Sequence, residues 1–288
     1  MILYKYIDVH IIEVLNKTSL KFSPRDFLND PFELFPYFEP NEFDKMDLLS
    51  KIGEDAYQDY FLKSLPDNAF IMMSPSEWLV FEKNTRNQEN PYKKEDPDNW
   101  IQNYYKDLVP GFLMILNNTF GILSFTEDPL NIIMWAHYGE YNKGFVIGFD
   151  TDNDFFCEKE HFEMNYRNLR KVNYKSERPL IRDPYNVDEL NETFFYKSIH
   201  WGYEKEWRVL RRLDDADEII ENDNHKLHLF GFQPKIIKEI YFGLRSDLEN
   251  RKKIIEIIHS NSDYQDVKFF QIELDDIEFK LIPRIIEI

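Results

Sequence analysis

The sequence predicts an α+β fold, and three observations carry the prediction. Short strand-like runs separated by short helical stretches occupy the start and middle of the chain. Apolar residues recur at helical intervals from about 40 to 118, and strand-like runs return after position 200. On this reading residues 1–288 form one α+β domain, and 40–118 is a helical insertion or lid within it.

Ile2–Ile7 alternates as a short strand, Val9–Leu15 suits a short helix, and Leu20–Ser23 is a second strand. The outlet, Ser23–Glu33, is dense in turn formers. Asn29-Asp30-Pro31 is a strong turn signal, because the residue before proline is pushed out of the helical region. Such a loop on a rigid scaffold carries function, or is a surface turn anchored by Phe27 and Phe32. Between Pro40 and Leu116, Phe43, Met46, Leu49, Ile52, Tyr57, Tyr60 and Phe61 recur at helical spacing. A further helix is expected over Ser76–Phe81, a solvated loop over Asn84–Asn99, and helix again from Trp100 to Leu116, broken at Pro110-Gly111.

The stretch Ser124–Asp150 looks built to hold a site. A strand over Gly121–Phe125 runs into Glu127-Asp128-Pro129, where proline in a first helical turn loses no hydrogen bond and acids suit the positive helix end, so a helix is expected to start near Pro129. On it Trp135 and Tyr138 share a face, either as core aromatics or as a stacking pair. A Tyr141–Gly144 turn containing Lys143 then leads to a strand over Phe145–Phe149.

Further on, Leu169–Tyr174 reads as a strand and Asn186–Ile199 as an amphipathic helix. Within a strand over Tyr203–Leu210, Glu204, Glu206 and Arg208 point one way and Lys205, Trp207 and Val209 the other. The charged face is either a solvated edge or a carboxylate turned toward a ligand hydroxyl. Lys226–Phe230, Ile236–Phe242 and Val267–Glu273 are strands, Asp247–Ser260 a helix, and Glu278–Glu287 a last strand interrupted at Pro283.

A net charge of −18, from 53 acids against 35 bases, disfavours bulk nucleic-acid binding and attraction to anionic membranes. One cysteine, Cys157, excludes an intrachain disulfide and a Cys-rich zinc site. No apolar run has signal or membrane-spanning length, so the expected location is the cytoplasm. Neither GxGxxG nor GxxxxGK[ST] occurs, and the seven histidines form no HxH or HExxH, so no metal is expected.

Four pieces together resemble the bacterial family known as domain of unknown function 2971: Leu3-Tyr4-Lys5-Tyr6; the Phe22–Glu33 loop; the Ser124–Asp150 stretch with Met134-Trp135, Tyr138 and Lys143-Gly144; and Lys197 followed by Trp201-x-Tyr203-Glu204-Lys205-Glu206-Trp207-Arg208. Their order also resembles a divergent ADP-ribosyltransferase fold, although neither a His-Tyr-Glu nor an Arg-Ser-Glu signature is present. That resemblance implies split mixed and antiparallel central sheets, and NAD as substrate. It implies Tyr4 or Tyr6 at a ribose, Trp135 or Tyr138 stacked on nicotinamide, and Glu206, with Glu204 as the alternative, on the ribose 2′-hydroxyl. Lys143, Arg25 or Arg208 would meet the pyrophosphate, and Asn29 and Asp30 would fix a ribose or an amide.

The function expected from the resemblance is an NAD-consuming transferase or glycohydrolase, as a toxin or phage-defence effector, with the acceptor open. A nucleotide- or protein-binding sensor and a metal-dependent hydrolase or nuclease are the alternatives. Replacing Glu206 by Gln is expected to abolish turnover without changing the melting temperature.

Overall fold

The computed structural model describes residues 1–8, 11–38, 58, 61–63, 65, 69, 73–86, 110–157, 167–181, 187–222 and 225–287. Phe43, Met46, Leu49, Ile52, Tyr57, Tyr60, Trp100, His10 and His161 lie outside these, as does the expected loop from 87 onward. Helices and mixed sheets are both present, and the fold is α+β.

In chain order the strands are β1 (Ile2–Ile7), β2 (Ser19–Phe22), β3 (Tyr37–Phe38), β4 (Phe120–Thr126), β5 (Phe145–Asp150), β6 (Arg170–Lys171), β7 (Asn173–Lys175), β8 (Leu180–Ile181), β9 (Tyr196–Ser198), β10 (Glu206–Arg212), β11 (Glu218–Asn222), β12 (His225–Gly231), β13 (Ile237–Phe242), β14 (Lys268–Leu274) and β15 (Leu281–Ile286). The helices are α1 (Ile11–Lys17), α2 (Pro75–Arg86), α3 (Ile132–His137), α4 (Val187–Thr193) and α5 (Leu248–Ser260), and residues 110–119 are also helical. Pro110 and Gly111 are both helical, and the residues before the expected break at Pro110-Gly111 lie outside the described ones. Helix α2 takes in Asn84 to Arg86, the start of the expected loop.

The chain divides into two compact units. The first comprises Met1–Ser23, Ile122–Val172 and His200–Ile288; the second comprises Pro24–Gly121 and Asn173–Ile199, and contains the whole of 40–118.

In the first unit an eight-stranded sheet has the order β15-β14-β13-β5-β1-β4-β10-β6, with Ile122 onward of β4 belonging to this unit. β1 pairs antiparallel with β4 and β5, and β5 antiparallel with β13. The parallel step from β13 to β14 needs a long crossover, which α5 supplies. A second sheet has the order β11-β12-β2. Side chains alternate across a strand, so β1 serves two cores. Leu3 and Ile7 join Phe125, Phe149, Val209, Ile240 and Phe242 in the larger one, into which α5 sends Ile254 and Ile258. Tyr6, with Tyr4 at its margin, joins Trp135, Val146 and Tyr241 in the smaller.

A β-bulge fixes which face of β13 goes where. Ile237 is opposite Phe149 and Glu239 opposite Gly148, so Lys238 is an extra residue. Ile237 and Ile240, three apart, therefore both reach the larger core, while Glu239 and Tyr241 turn to the other face.

β15 runs unbroken through Pro283, where an interruption was expected; an edge strand has one unpaired side and tolerates the missing N–H. The expected strand Leu169–Tyr174 is two: β6 pairs with β10, and beyond Val172 the chain pairs instead with β9. In the second unit β3 pairs with β8 and β7 with β9, both parallel. The expected helix Asn186–Ile199 ends at Thr193, because the next residues become β9 and the Phe195 carbonyl accepts from the Asn173 N–H. Trp78, Phe81 and Phe112 form an edge-to-face aromatic core there, and the Trp78 indole N–H donates to the Ala69 carbonyl.

Candidate functional site

Polar turn residues fix the Thr126–Asn131 loop. Asp128 Oδ1 accepts from the Leu130 N–H at 3.0 Å, and Asn131 Oδ1 accepts from the N–H groups of Ile133 and Met134. Asn131 is thus the N-cap, and α3 starts at Ile132 rather than near Pro129, because an asparagine side chain satisfies the first free N–H groups and Asp128 forms its own turn. Pro129 contributes its carbonyl, which accepts from Trp135 Nε1 at 2.8 Å.

Trp135 is fully buried and meets the Tyr6 ring edge-on at 5.3 Å. It is a core residue. Tyr138 is the C-cap of α3, half-buried, and its hydroxyl donates to Glu204 Oε1 at 2.6 Å. Beyond it Glu140, Tyr141 and Asn142 are three successive residues with positive φ, at 45°, 54° and 68°. This left-handed turn is tied down by its neighbours: the Asn142 carbonyl accepts from Arg245 N–H, and the Gly144 carbonyl from Gly243 N–H. Lys143 is exposed on it and makes no side-chain hydrogen bond or ion pair among the described residues.

Glu204 does not stand in the strand with Glu206. It ends a 3-10 turn over Ile199–Glu204, Lys205 takes a φ of 46°, and β10 begins at Glu206. The left-handed residue interrupts the alternation that would have aligned the two carboxylates. Instead residues 203–205 dock on the 126–131 loop. Thr126 donates its hydroxyl to the Glu204 carbonyl, Asn131 Nδ2 donates to the Tyr203 carbonyl, and Glu127 N–H donates to the Lys205 carbonyl. The Lys205 ammonium sits 3.3 Å from Asp128 Oδ2. These contacts bring Glu204 to Tyr138.

Glu206 and Arg208 are 4% and 1% exposed, so this is no solvated edge. Arg208 Nε donates to Glu206 Oε1 at 2.8 Å and Nη2 to Oε2 at 3.0 Å. A buried carboxylate in a two-pronged guanidinium fork is held as an ion pair. Lys5 donates to the Ser124 carbonyl at 3.2 Å and lies over the Phe125 ring. Burial pushes its ammonium down to about 8, against the pull of Glu206 and with the push of Lys21.

Across the sheet runs a row that the sequence reading did not single out. Thr126, Tyr4, Gly148, Glu239 and Lys268 are successive register partners on β4, β1, β5, β13 and β14. Tyr4 crosses over Gly148, where a Cβ would press on the Tyr4 ring at 3.1 Å and on Glu239 Cβ at 3.0 Å. Its hydroxyl donates to Glu239 Oε2 at 3.1 Å, and Tyr241 donates to the same oxygen at 2.7 Å. Burial, then the nearby Glu239 charge, pushes the Tyr4 phenol up to about 12. Tyr241 is raised by burial and by its bond to Glu239. Tyr6 donates to the Asp128 carbonyl at 3.0 Å, and burial raises it. The signal in sequence was a Glu-x-Tyr spacing on β13 matching the Tyr-x-Tyr of β1.

Arg25, Asn29 and Asp30 belong to the second unit. Arg25 Nε donates to the Glu33 carbonyl at 2.8 Å and its Nη1 pairs with Asp26, so the guanidinium braces its own loop. Asn29 is exposed. Asp30 is 5% exposed, Oδ1 accepts from Phe32 N–H, and Oδ2 has no hydrogen-bond partner. Glu33 lies 3.8 Å from Lys197, both buried.

Within the first unit, then, Tyr4, Tyr6, Trp135 and Tyr138 share one aromatic cluster. Glu204 is hydrogen-bonded to it by Tyr138, and Glu239 by Tyr4 and Tyr241. A carboxylate against aromatic rings can accept from a sugar hydroxyl and stabilise positive charge developing at a neighbouring carbon. Among the described residues no group of three His, Cys, Asp or Glu could hold a metal ion, and no helix is long and apolar enough to cross a membrane.

Residues 134–209 match the model of a family described as Protein of unknown function (DUF2971), which supports the family assignment read from the four sequence pieces. The matched span contains Trp135, Tyr138, Lys143, Glu204, Glu206 and Arg208. No curated protein and no solved structure matches the chain.

Proposed function

We propose that this chain, assigned to the DUF2971 family through residues 134–209, is an NAD-consuming enzyme that breaks the nicotinamide–ribose bond. The observation that carries the reading is the 2.6 Å hydrogen bond from Tyr138 to Glu204, two residues 66 positions apart. They are the middle aromatic and one of the two late glutamates that the transferase resemblance implies for nicotinamide and ribose. In the reaction the glycosidic electron pair passes to the pyridinium nitrogen, giving neutral nicotinamide. The Glu204 carboxylate stabilises the oxocarbenium-like C1′ through the 2′-hydroxyl. Water or another nucleophile then adds at C1′ and loses a proton. Unregulated turnover of this kind depletes NAD, which is how a toxin or phage-defence effector would act.

The test is to incubate the full chain with NAD and measure free nicotinamide by mass spectrometry. Release is expected, with a loss of about 100-fold or more in Glu204→Gln, the size typical of removing one transition-state contact. No release, together with no thermal shift from NAD, ADP-ribose or ATP at about 100 times a plausible Kd, where binding adds roughly 2.7 kcal/mol, overturns the reading.

A second reading has an observation of its own. Both late glutamates are buried, Glu204 3% and Glu206 4% exposed, and both are engaged within the chain, Glu204 by the Tyr138 hydroxyl and Glu206 at both oxygens by Arg208, which favours a sensor that binds a nucleotide without turning it over. Saturable binding of NAD with no nicotinamide formed distinguishes it.

A further inference from the structure

The geometry points to Glu239 as a second hydroxyl-binding carboxylate, and we propose that the Glu239–Lys268–Phe270 face of the sheet holds the nucleoside monophosphate half of the substrate that Glu204 does not hold. The proposal rests on the dinucleotide reading above and adds a place for the other half. Three observations support it.

First, Glu239 is half-spent. Both phenols, Tyr4 at 3.1 Å and Tyr241 at 2.7 Å, donate to Oε2, and among the described residues nothing donates to Oε1. Two donors on one oxygen fix the carboxylate plane, so Oε1 is a preorganised acceptor. Glu239 is only partly buried, which leaves that acceptor open to a ligand. Second, the neighbouring β14 places a cation and a ring beside it on the same face. Lys268 is exposed and in register with Glu239, and Phe270, half-buried, stacks on Tyr241 at 4.6 Å with ring planes 13° apart. An acceptor for ribose hydroxyls, a point charge for a phosphate and an apolar ring for a base stand within two strands. Third, the two carboxylates are held by different partners, Glu204 by the Tyr138 hydroxyl and Glu239 by Tyr4 and Tyr241. The backbone of Glu204 is docked at Thr126, and Thr126 and Glu239 stand three strand spacings apart, ~14 Å between backbones, along one row. Tyr4 spans the middle of that row.

Isothermal titration of the full chain with ADP-ribose, AMP and nicotinamide mononucleotide tests this. Glu239→Gln is expected to weaken ADP-ribose and AMP by about tenfold, the size of one charge-assisted hydrogen bond, and to leave nicotinamide mononucleotide unchanged. Lys268→Ala, an exposed substitution that leaves the fold intact, should weaken AMP with a reduced salt dependence. Glu204→Gln should show the reverse preference, losing nicotinamide mononucleotide and keeping AMP. Unchanged AMP binding in both Glu239→Gln and Lys268→Ala overturns the subsite while leaving the NAD reading standing. Wild-type protein that binds none of the three ligands overturns the dinucleotide reading, and the subsite with it.

Discussion

Arg208 closes on Glu206 from two positions along the same strand, its Nε 2.8 Å from Oε1 and its Nη2 3.0 Å from Oε2. Residues two apart share a face of a strand, so the fork lies flat against the carboxylate, and both groups are out of water. Removing one partner strands a buried charge. Arg208→Ala should therefore lower stability by about 3–5 kcal/mol, and Arg208→Lys by less, since a point charge replaces the fork. Glu206→Gln should also lower the urea midpoint, contrary to what an exposed catalytic carboxylate would do. Wild-type midpoints in all three variants would show that the pair contributes nothing.

Trp135 and Tyr138 should separate in mutants. Trp135→Ala removes a fully buried ring and the bond to the Pro129 carbonyl, and is expected to cost about 3–5 kcal/mol by calorimetry. Tyr138→Phe keeps the ring and removes one donor to Glu204, for roughly 1.5–3 kcal/mol, with a disproportionate loss of nicotinamide release. A Tyr138→Phe protein with full turnover contradicts the assignment of the Tyr138–Glu204 pair.

Stability should rise and then fall with alkaline pH. Burial holds the Lys5 ammonium at about 8, below its usual 10.5, so between pH 8 and 10 the unfolded chain binds a proton that the folded chain does not, and folding strengthens as pH rises. Lys21, also lowered by burial, acts in the same sense. Tyr4 and Tyr264 are pushed up to about 12, so above pH 10 the unfolded chain releases protons that the folded chain keeps, and stability falls. Urea midpoints from pH 7 to 11 should peak near pH 10. Lys5→Met should flatten the rising limb and leave the fall, and a rise of full size in that variant would place its origin elsewhere.

Gly144 and Gly243 admit no side chain. A Cβ at Gly144 would overlap the Ile7 carbonyl, and one at Gly243 would lie 2.5 Å from the Asn142 carbonyl and 2.9 Å from the Trp135 ring. The obstacles are mainly backbone, which cannot step aside. Gly144→Ala should cost at least the 1–3 kcal/mol of ordinary overpacking and lower the melting temperature by several degrees. An alanine protein that melts with wild type would mean the turn relaxes freely.

Much of the sheet was legible in sequence, because alternation and turn residues are local signals. β1, β5 and β14, and α5 with its Asp247 cap, fall close to where periodicity put them. What was not legible depends on single residues departing from their usual habits. Lys205 in a left-handed conformation removes Glu204 from the strand, and lysine gives no warning of that. The extra residue at Lys238 turns Glu239 and Tyr241 toward Tyr4, although a regular strand was the simpler reading. Pro129 looked like a helix start, but Asn131 has the better cap. The Tyr138–Glu204 and Tyr4–Glu239 contacts join strands and turns far apart in the chain, and no local pattern announces a partner at that range.

The chain order of the first unit's sheet bears on how the protein is made. β1 sits between β4 and β5, so Lys5 meets Ser124 119 residues later, and Tyr4 meets Glu239 235 residues later. A nascent chain leaves the ribosome in order, so β1 emerges with Leu3 and Ile7 uncovered and no strand to pair with until β4 and β5 have followed. A translation product stopped before β13 would hold β5 with one edge open, an invitation to join the same edge of another unfinished chain. Ribosome stalling in the 150–236 interval is thus where this protein should be most dependent on chaperones.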